Sequence, residues 1–224
     1  MNRKTTLLIL VLLPLACAVF SEELVSAEKI FSNLSASFGA IKDYEATVKI
    51  LQGKTESRGK LSYKSPLFLR IDFDEPKGQV FVINAEKMTI FVPQYEVVLE
   101  QKYKKKNSAA IASMASSQGL AMLEKNYAVG FLTGPDPVPL EEGSKEQVVK
   151  LALTPHATTG YRQLVLSVKD SLVRRVEGIQ DNGERITLDL LNVRVNQGVP
   201  DSRFQYDTPA YANVIPDFLF DPEE

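Results

Sequence analysis

The sequence predicts an α+β fold: an incomplete antiparallel β-barrel of about ten to eleven strands with helices forming a lid or plug. Three observations predict it. Apolar residues alternate with polar ones from Asp43 to about Lys102 and again from Gln147 to Val195, and turn signals separate the runs. Residues 22–41 and 107–126 carry helical spacing or composition instead. Strands such as Val80-Phe81-Val82-Ile83 are apolar on both faces, so the sheet needs a cover on each side or must curl around an interior.

The chain has 224 residues, 44% hydrophobic and 24% charged, enough for one ordinary domain with a sizeable core. A net charge of −2 argues against a nucleic-acid binder held by clustered Lys and Arg. One Cys and one His exclude a Cys/His zinc site and an internal disulfide. There is no Trp.

Residues 1–21 read as a secretory signal peptide, and residues 22–224 as a single domain. Arg3 and Lys4 supply the positive end. The apolar run from Thr5 to Leu15 is too short to span a bilayer, and cleavage suits either Ala18 or Ser21. Leu13-Pro14-Leu15-Ala16-Cys17 loosely resembles a lipid-attachment box, but Pro14 and Leu15 fit it poorly. Either way the protein is expected to be exported.

Leu24, Ala27, Ile30, Phe31, Leu34, Phe38 and Ile41 share one helical stripe, for which Ser21 is the expected cap and Gly39 the expected stop. Tyr44, Ala46, Val48 and Ile50 begin the strands. Leu61 and Tyr63 continue them, and Leu67, Leu69, Ile71 and Phe73 share a face opposite Phe68, Arg70 and Asp72. In the 107–126 insert, Ser116-Ser117-Gln118-Gly119 is expected to split two short helices. Gly134-Pro135-Asp136-Pro137-Val138-Pro139 reads as a stiff loop. Strands resume at Gln147–Leu153, Arg162–Lys169, Leu172–Ile179 and Glu184–Val195, with Asp170-Ser171 and Asp181-Asn182-Gly183 as hairpin turns. Phe204-Gln205-Tyr206 is a candidate last strand. The tail, with Pro209, Pro216 and Pro222, is expected to be extended, and its apolar Phe218-Leu219-Phe220 receives no role.

Catalytic signatures do not emerge. His156 is expected in a loop beside Thr158-Thr159-Gly160, and Asp72, Asp74 and Glu75 do not make a paired acid/base site on a strand. The reading is therefore not an enzyme and without cofactor. Lys102, Lys104, Lys105 and Lys106 form a basic run that reads as a solvated loop or as a contact for an acidic partner or anionic headgroups. An apolar interior is either a filled core or a cavity for an apolar ligand. Met114, Met122 and the nearby alanines suit an adaptable lid.

The order of motifs carries a family resemblance. Gly59-Lys60-Leu61 is followed by Lys64-Ser65-Pro66-Leu67-Phe68-Leu69-Arg70-Ile71, then by Val82-Ile83-Asn84-Ala85-Glu86-Lys87. The second half supplies Leu153-Thr154-Pro155, Asp181-Asn182-Gly183-Glu184-Arg185 and Phe204. This order resembles the LolA family of periplasmic lipoprotein carriers. The resemblance implies an unclosed barrel under a helical lid, with lipoprotein acyl chains as cargo. It further implies an inner-membrane ABC-type lipoprotein-releasing complex as donor and an outer-membrane LolB-like acceptor as recipient, with the carrier a monomer.

The family's cavity positions correspond to Leu69, Ile71, Phe73, Val80 or Val82, and Ile90, with Met114, Leu120 and Leu123 as lid residues that open on loading. Where many members carry a lid-latching Arg, this chain has Ser65, which lacks the guanidinium's donors. Three competing readings stay open: a LolB-like receptor acylated on Cys17, a carrier or sensor of another lipid, and a hydrolase using His156.

Overall fold

The computed structural model describes residues 25–103 and 117–219. Helix α1 spans Ala27–Gly39, and its N-cap is Ser26, whose hydroxyl accepts from the Lys29 amide at 3.2 Å. The helix therefore begins five residues after the start of the expected 22–41 span. Ala27, Phe31, Leu34 and Phe38 form its buried face.

Six strands follow: β1 (Asp43–Gln52), β2 (Thr55–Lys64), β3 (Phe68–Glu75), β4 (Val80–Ile83), β5 (Lys87–Val92) and β6 (Val97–Lys102). Helix α2 (Ser117–Asn126) leads into β7 (Tyr127–Phe131), β8 (Val138–Pro139), β9 (Gln147–Pro155), β10 (Tyr161–Lys169), β11 (Leu172–Gln180) and β12 (Arg185–Val195). A 3₁₀ turn (Asp201–Phe204) precedes Gln205 and Tyr206, which are in no strand although a last strand was expected at 204–206, and β13 (Asn213–Pro216) is the last strand among the described residues. The expected break at 116–119 coincides with the start of α2; the first short helix of that insert lies outside the described residues.

The thirteen strands form one open sheet in the order β13-β6-β5-β4-β3-β2-β1-β12-β11-β10-β9-β7, with β8 beside β9. All pairings are antiparallel except β13 against β6. The count exceeds the sequence expectation by β7, the two-residue β8 and β13: the last two are too short to show a period, and in β7 Tyr127, Val129 and Phe131 alternate only with Ala128 and Gly130, so no polar residue marks a wet face. Among the described residues no helix is long and apolar enough to cross a membrane.

The sheet curls around α1. Phe31, Leu34 and Phe38 share one buried cluster with Ala46, Leu61 and Ile71 on one side and with Leu151, Leu153 and Leu166 on the other. Antiparallel registers need strict side-chain alternation, and four local irregularities adjust it, one in β1–β12, one in β2–β3 and two in β10–β11. At Gly59, opposite the β2–β3 bulge, an added Cβ would lie 2.5 Å from the Asp72 carbonyl oxygen, so only glycine permits the strands to approach. At the β10–β11 bulge, Arg174 is the extra residue, and Arg174 and Arg175 both reach the carboxylate of Asp189.

Both helices, α1 and α2, lie on the inner side of the curled sheet, in one cluster. The outer face of β2–β5 is covered instead by a C-terminal strap, residues 199–206. The Phe204 ring sits 5.4 Å from that of Phe68, and the Tyr206 ring 6.1 Å from that of Phe91. Beneath the strap Val82 is 1% exposed.

Candidate functional site

The inner surface of the first half-sheet can be read row by row from strand pairing. One transverse row runs Ala46, Leu61, Ile71, Phe81, Ile90, Leu99 and Ile215. It is apolar throughout, yet its coverage fades along the sheet. Ala46, Leu61 and Ile71 are at most 7% exposed; Phe81, Ile90 and Leu99 are half-buried; Ile215 is 41% exposed. A second row holds Tyr63, Leu69, Ile83 and Met88, and a third holds Gly59 and Phe73 and, further along the sheet, Val92 and Val97. The half-covered part, over β3–β6, is an apolar trough with the packed core along one side.

The structure separates the expected cavity residues into two sets. Leu69, Ile71 and Phe73 lie on the inner face and pack in or against the main cluster. Ile90 joins them by pairing with Phe81. Val80 and Val82 do not: they pair with Asp72 and Arg70, on the outer face beneath the strap. The reason is the missing contrast in β4. With apolar residues at all four positions, no polar side chain marks which face is wet, and only the partner strand decides.

Of the lid residues, Leu120 is 5% exposed in the main cluster and Leu123 packs against it, both on α2. Met114 lies outside the described residues, as do Cys17, Lys104, Lys105, Lys106 and Phe220. Ser65 is exposed, and its amide donates to the Lys42 carbonyl at 2.8 Å.

Sequence reasoning missed Phe81, Met88 and Leu99 as inner-face residues, and it missed Phe218. Phe81 was within reach: its neighbours Val80 and Val82 alternate with it. Phe218 was not, because its partners Ile83 and Met88 are remote in sequence.

Packing is tight beneath the C-terminal end of α1. Between Phe38, Ile41, Tyr44, Leu172, Val173, Leu190 and Val193 the free space is about 10 Å3, less than the share of one liquid water. Aromatic rings of α1 and the strands fill it: Phe38 stands edge-on to Tyr44 at 6.4 Å, and Tyr44 lies 5.0 Å from Tyr63. Burial, reinforced by the neighbouring Tyr63, pushes the Tyr44 phenol well above its usual range, and burial does the same to Tyr103. Both rings stay neutral, so the inner surface carries no phenolate charge.

A larger concavity, about 520 Å3, lies on the opposite, outer face between β1, β12, β11 and residues 140–146. Its chemistry differs from that of the trough. Lys49 and Arg58 pair with Glu56, Arg174 with Glu146 and Asp189, and Arg175 with Asp189 and Glu141. Each cation already has a carboxylate, so the network staples the 140–146 segment to the sheet. His156 is exposed at the end of β9, with its amide donating to the Asn126 carbonyl at 2.9 Å.

Residues 43–207 match the family model of the outer membrane lipoprotein carrier protein LolA. An outer-membrane lipoprotein carrier protein of Pseudomonas paraeruginosa is 26% identical over 161 residues, covering 71% of this chain and 72% of its own. A Pseudomonas putida protein of the same description is 26% identical over 163 residues, covering 71% and 72%. Among solved structures, an uncharacterized conserved protein from Thermus thermophilus superposes with a TM-score of 0.55 at 14% identity, covering 85% of this chain and 98% of that one. The Pseudomonas aeruginosa MucA/MucB complex gives a TM-score of 0.53 at 11% identity, covering 84% of this chain and 63% of that one. Such low identities speak to the fold alone.

Proposed function

This chain belongs to the LolA family of outer membrane lipoprotein carrier proteins, and from that premise we propose that it is a periplasmic carrier that shelters lipoprotein acyl chains on the trough over β3–β6. The observation that carries this reading is the fading coverage of one continuous apolar row, from the buried Ile71 to the 41% exposed Ile215. A monomeric soluble domain gains stability by covering such a surface. Leaving it half-covered suits a surface that is completed by something carried.

Transit through water sets the energetic demand. Each acyl methylene costs about 0.8 kcal/mol to expose, so a lipid-anchored protein does not leave a membrane unaided. The trough offers Leu69, Phe73, Phe81, Ile90 and Leu99 as a floor for the chains. Because α1 already fills the interior, the cargo lies along the open part of the inner face and not beneath the helix. Partial exposure also serves release, since the chains keep one side accessible to an acceptor. In this reading an inner-membrane ABC-type releasing complex loads the carrier, and an outer-membrane LolB-like acceptor unloads it. Residues 1–21 direct export.

The test uses a purified triacylated lipoprotein diluted from detergent. The wild-type carrier is expected to keep it soluble. Phe81→Glu and Leu99→Glu are expected to lose that capacity while keeping a native thermal transition. Leu51→Glu, at the exposed outer end of β1, is expected to retain it. Equal retention by all three variants overturns the assignment of the trough.

A further inference from the structure

Resting on the trough reading, we propose that Phe218 is the end wall of the trough and limits the length of acyl chain the protein accepts. The tail does not simply continue along the sheet edge. After β13 has paired in parallel with β6, Asp217 adopts a left-handed conformation, φ 49°, and turns the chain inward. The Phe218 ring then packs against Ile83 and Met88, with Leu67, Leu69 and Tyr103 in the same apolar cluster. That cluster stands at the β4–β5 turn end of the inner face, where the row of Tyr63, Leu69, Ile83 and Met88 lies. At the other end of the strands, Val92 and Val97 remain half-buried. Between the rows of Met88 and Val92 the floor is about 14 Å long.

A buried polar group holds the tail there. Gln101 pairs with Met88 on the inner face and is 0% exposed. Its Oε1 accepts from the Leu219 amide at 2.9 Å, while its Nε2 donates to the Lys102 carbonyl at 3.1 Å. The Lys102 amide donates to Asp217 Oδ1 at 3.3 Å. An amide on an apolar face is costly unless satisfied. Here its Nε2 also reaches Asp217 Oδ1 at 3.5 Å, so Gln101 holds the residues on both sides of Phe218 and fixes where the ring stops the floor.

An end wall makes a directional prediction that a general packing role does not. Lauric, palmitic and arachidic acids compete against a fluorescent fatty acid for the full-length mature protein. In Phe218→Ala the preference for arachidic over lauric acid is expected to rise, by about fourfold for each further methylene that the floor now covers. In Phe218→Trp the preference is expected to shift toward lauric acid. Opposite shifts in the two variants support the proposal. An unchanged chain-length profile, or an equal loss of affinity for all three acids, overturns it and leaves the trough standing. If the wild-type protein binds none of the acids and Phe81→Glu changes nothing, the trough reading itself fails and the end wall falls with it.

Discussion

The Arg70 guanidinium donates through Nη1 to the Gln205 carbonyl oxygen at 2.9 Å, tying β3 to a segment 135 residues further along the chain. The same side chain holds Asp72 through Nε and Nη2, at 3.0 and 2.8 Å. Arg203 approaches Asp72 from the strap and also donates to Ser62 Oγ at 3.3 Å. Leu69, one residue before Arg70, faces the opposite way, into the trough. One strand thus serves cargo on one side and strap on the other.

Cutting that tie destabilises the strap. Arg70→Ala leaves Asp72 with Arg203 alone and frees the carbonyls of Arg203 and Gln205. The expected cost is about 2–3 kcal/mol, read as a lower urea midpoint. Arg70→Lys recovers only part of it, because a single ammonium does not reproduce the two-pronged contact. A midpoint unchanged in Arg70→Ala removes the clamp from the account.

Acid weakens the same contact. Burial on its own raises the Asp72 pKa, but the hydrogen bonds from Arg70 and Arg203 outweigh it and hold the carboxyl below its usual 3.8. A carboxyl depressed in the folded state stabilises the protein above its unfolded pKa and loses that contribution as pH falls through its folded pKa. The wild-type melting temperature is expected to drop below about pH 4 more steeply than that of Asp72→Asn. Parallel pH profiles for the two proteins contradict this.

Two neighbouring positions of β3 separate binding from folding. Ile71 is 7% exposed inside the main cluster, so Ile71→Glu buries a charge and is expected to abolish the cooperative transition. Leu69 is half-buried on the same face, and Leu69→Glu is expected to fold while losing lipoprotein retention. Circular dichroism melts alongside the retention assay distinguish the two; a fully folded Ile71→Glu refutes the burial argument.

Glycine substitutions rank by what the new Cβ meets. Gly59→Ala strikes backbone, the Asp72 carbonyl, and is expected to cost about 1–3 kcal/mol. Gly178→Ala meets the Tyr161 ring at 2.7 Å, the end of a side chain that can swing aside, and is expected to cost less. The order of their urea midpoints checks this; a less stable Gly178→Ala reverses it.

The intact mass of protein recovered from the periplasm tests export. An unmodified chain beginning near Glu22 is expected. A mass that includes a lipid on Cys17 identifies an anchored receptor in place of a carrier.

Periodicity made much of the fold readable. The four runs Gln147–Leu153, Arg162–Lys169, Leu172–Ile179 and Glu184–Val195 match β9 to β12 within a residue or two, because each alternates and ends at a turn residue. The stripe from Ala27 to Phe38 marked the buried face of α1. The site was only partly readable. Leu69, Ile71 and Phe73 alternate against Arg70 and Asp72, which named their face. Val80 and Val82 had no such contrast, and register placed them outside.

By itself, then, the sequence determined most of the strands and the buried stripe of α1, and that the sheet must hide apolar residues on both sides, because alternation and turn chemistry are local properties. Tertiary structure alone decided what hides each face: α1 inside, the strap outside, and Phe218 at the end of the inner floor. Those contacts join different elements, and the strap and Phe218 meet strands more than a hundred positions away; no local pattern carries the register or the path by which they meet.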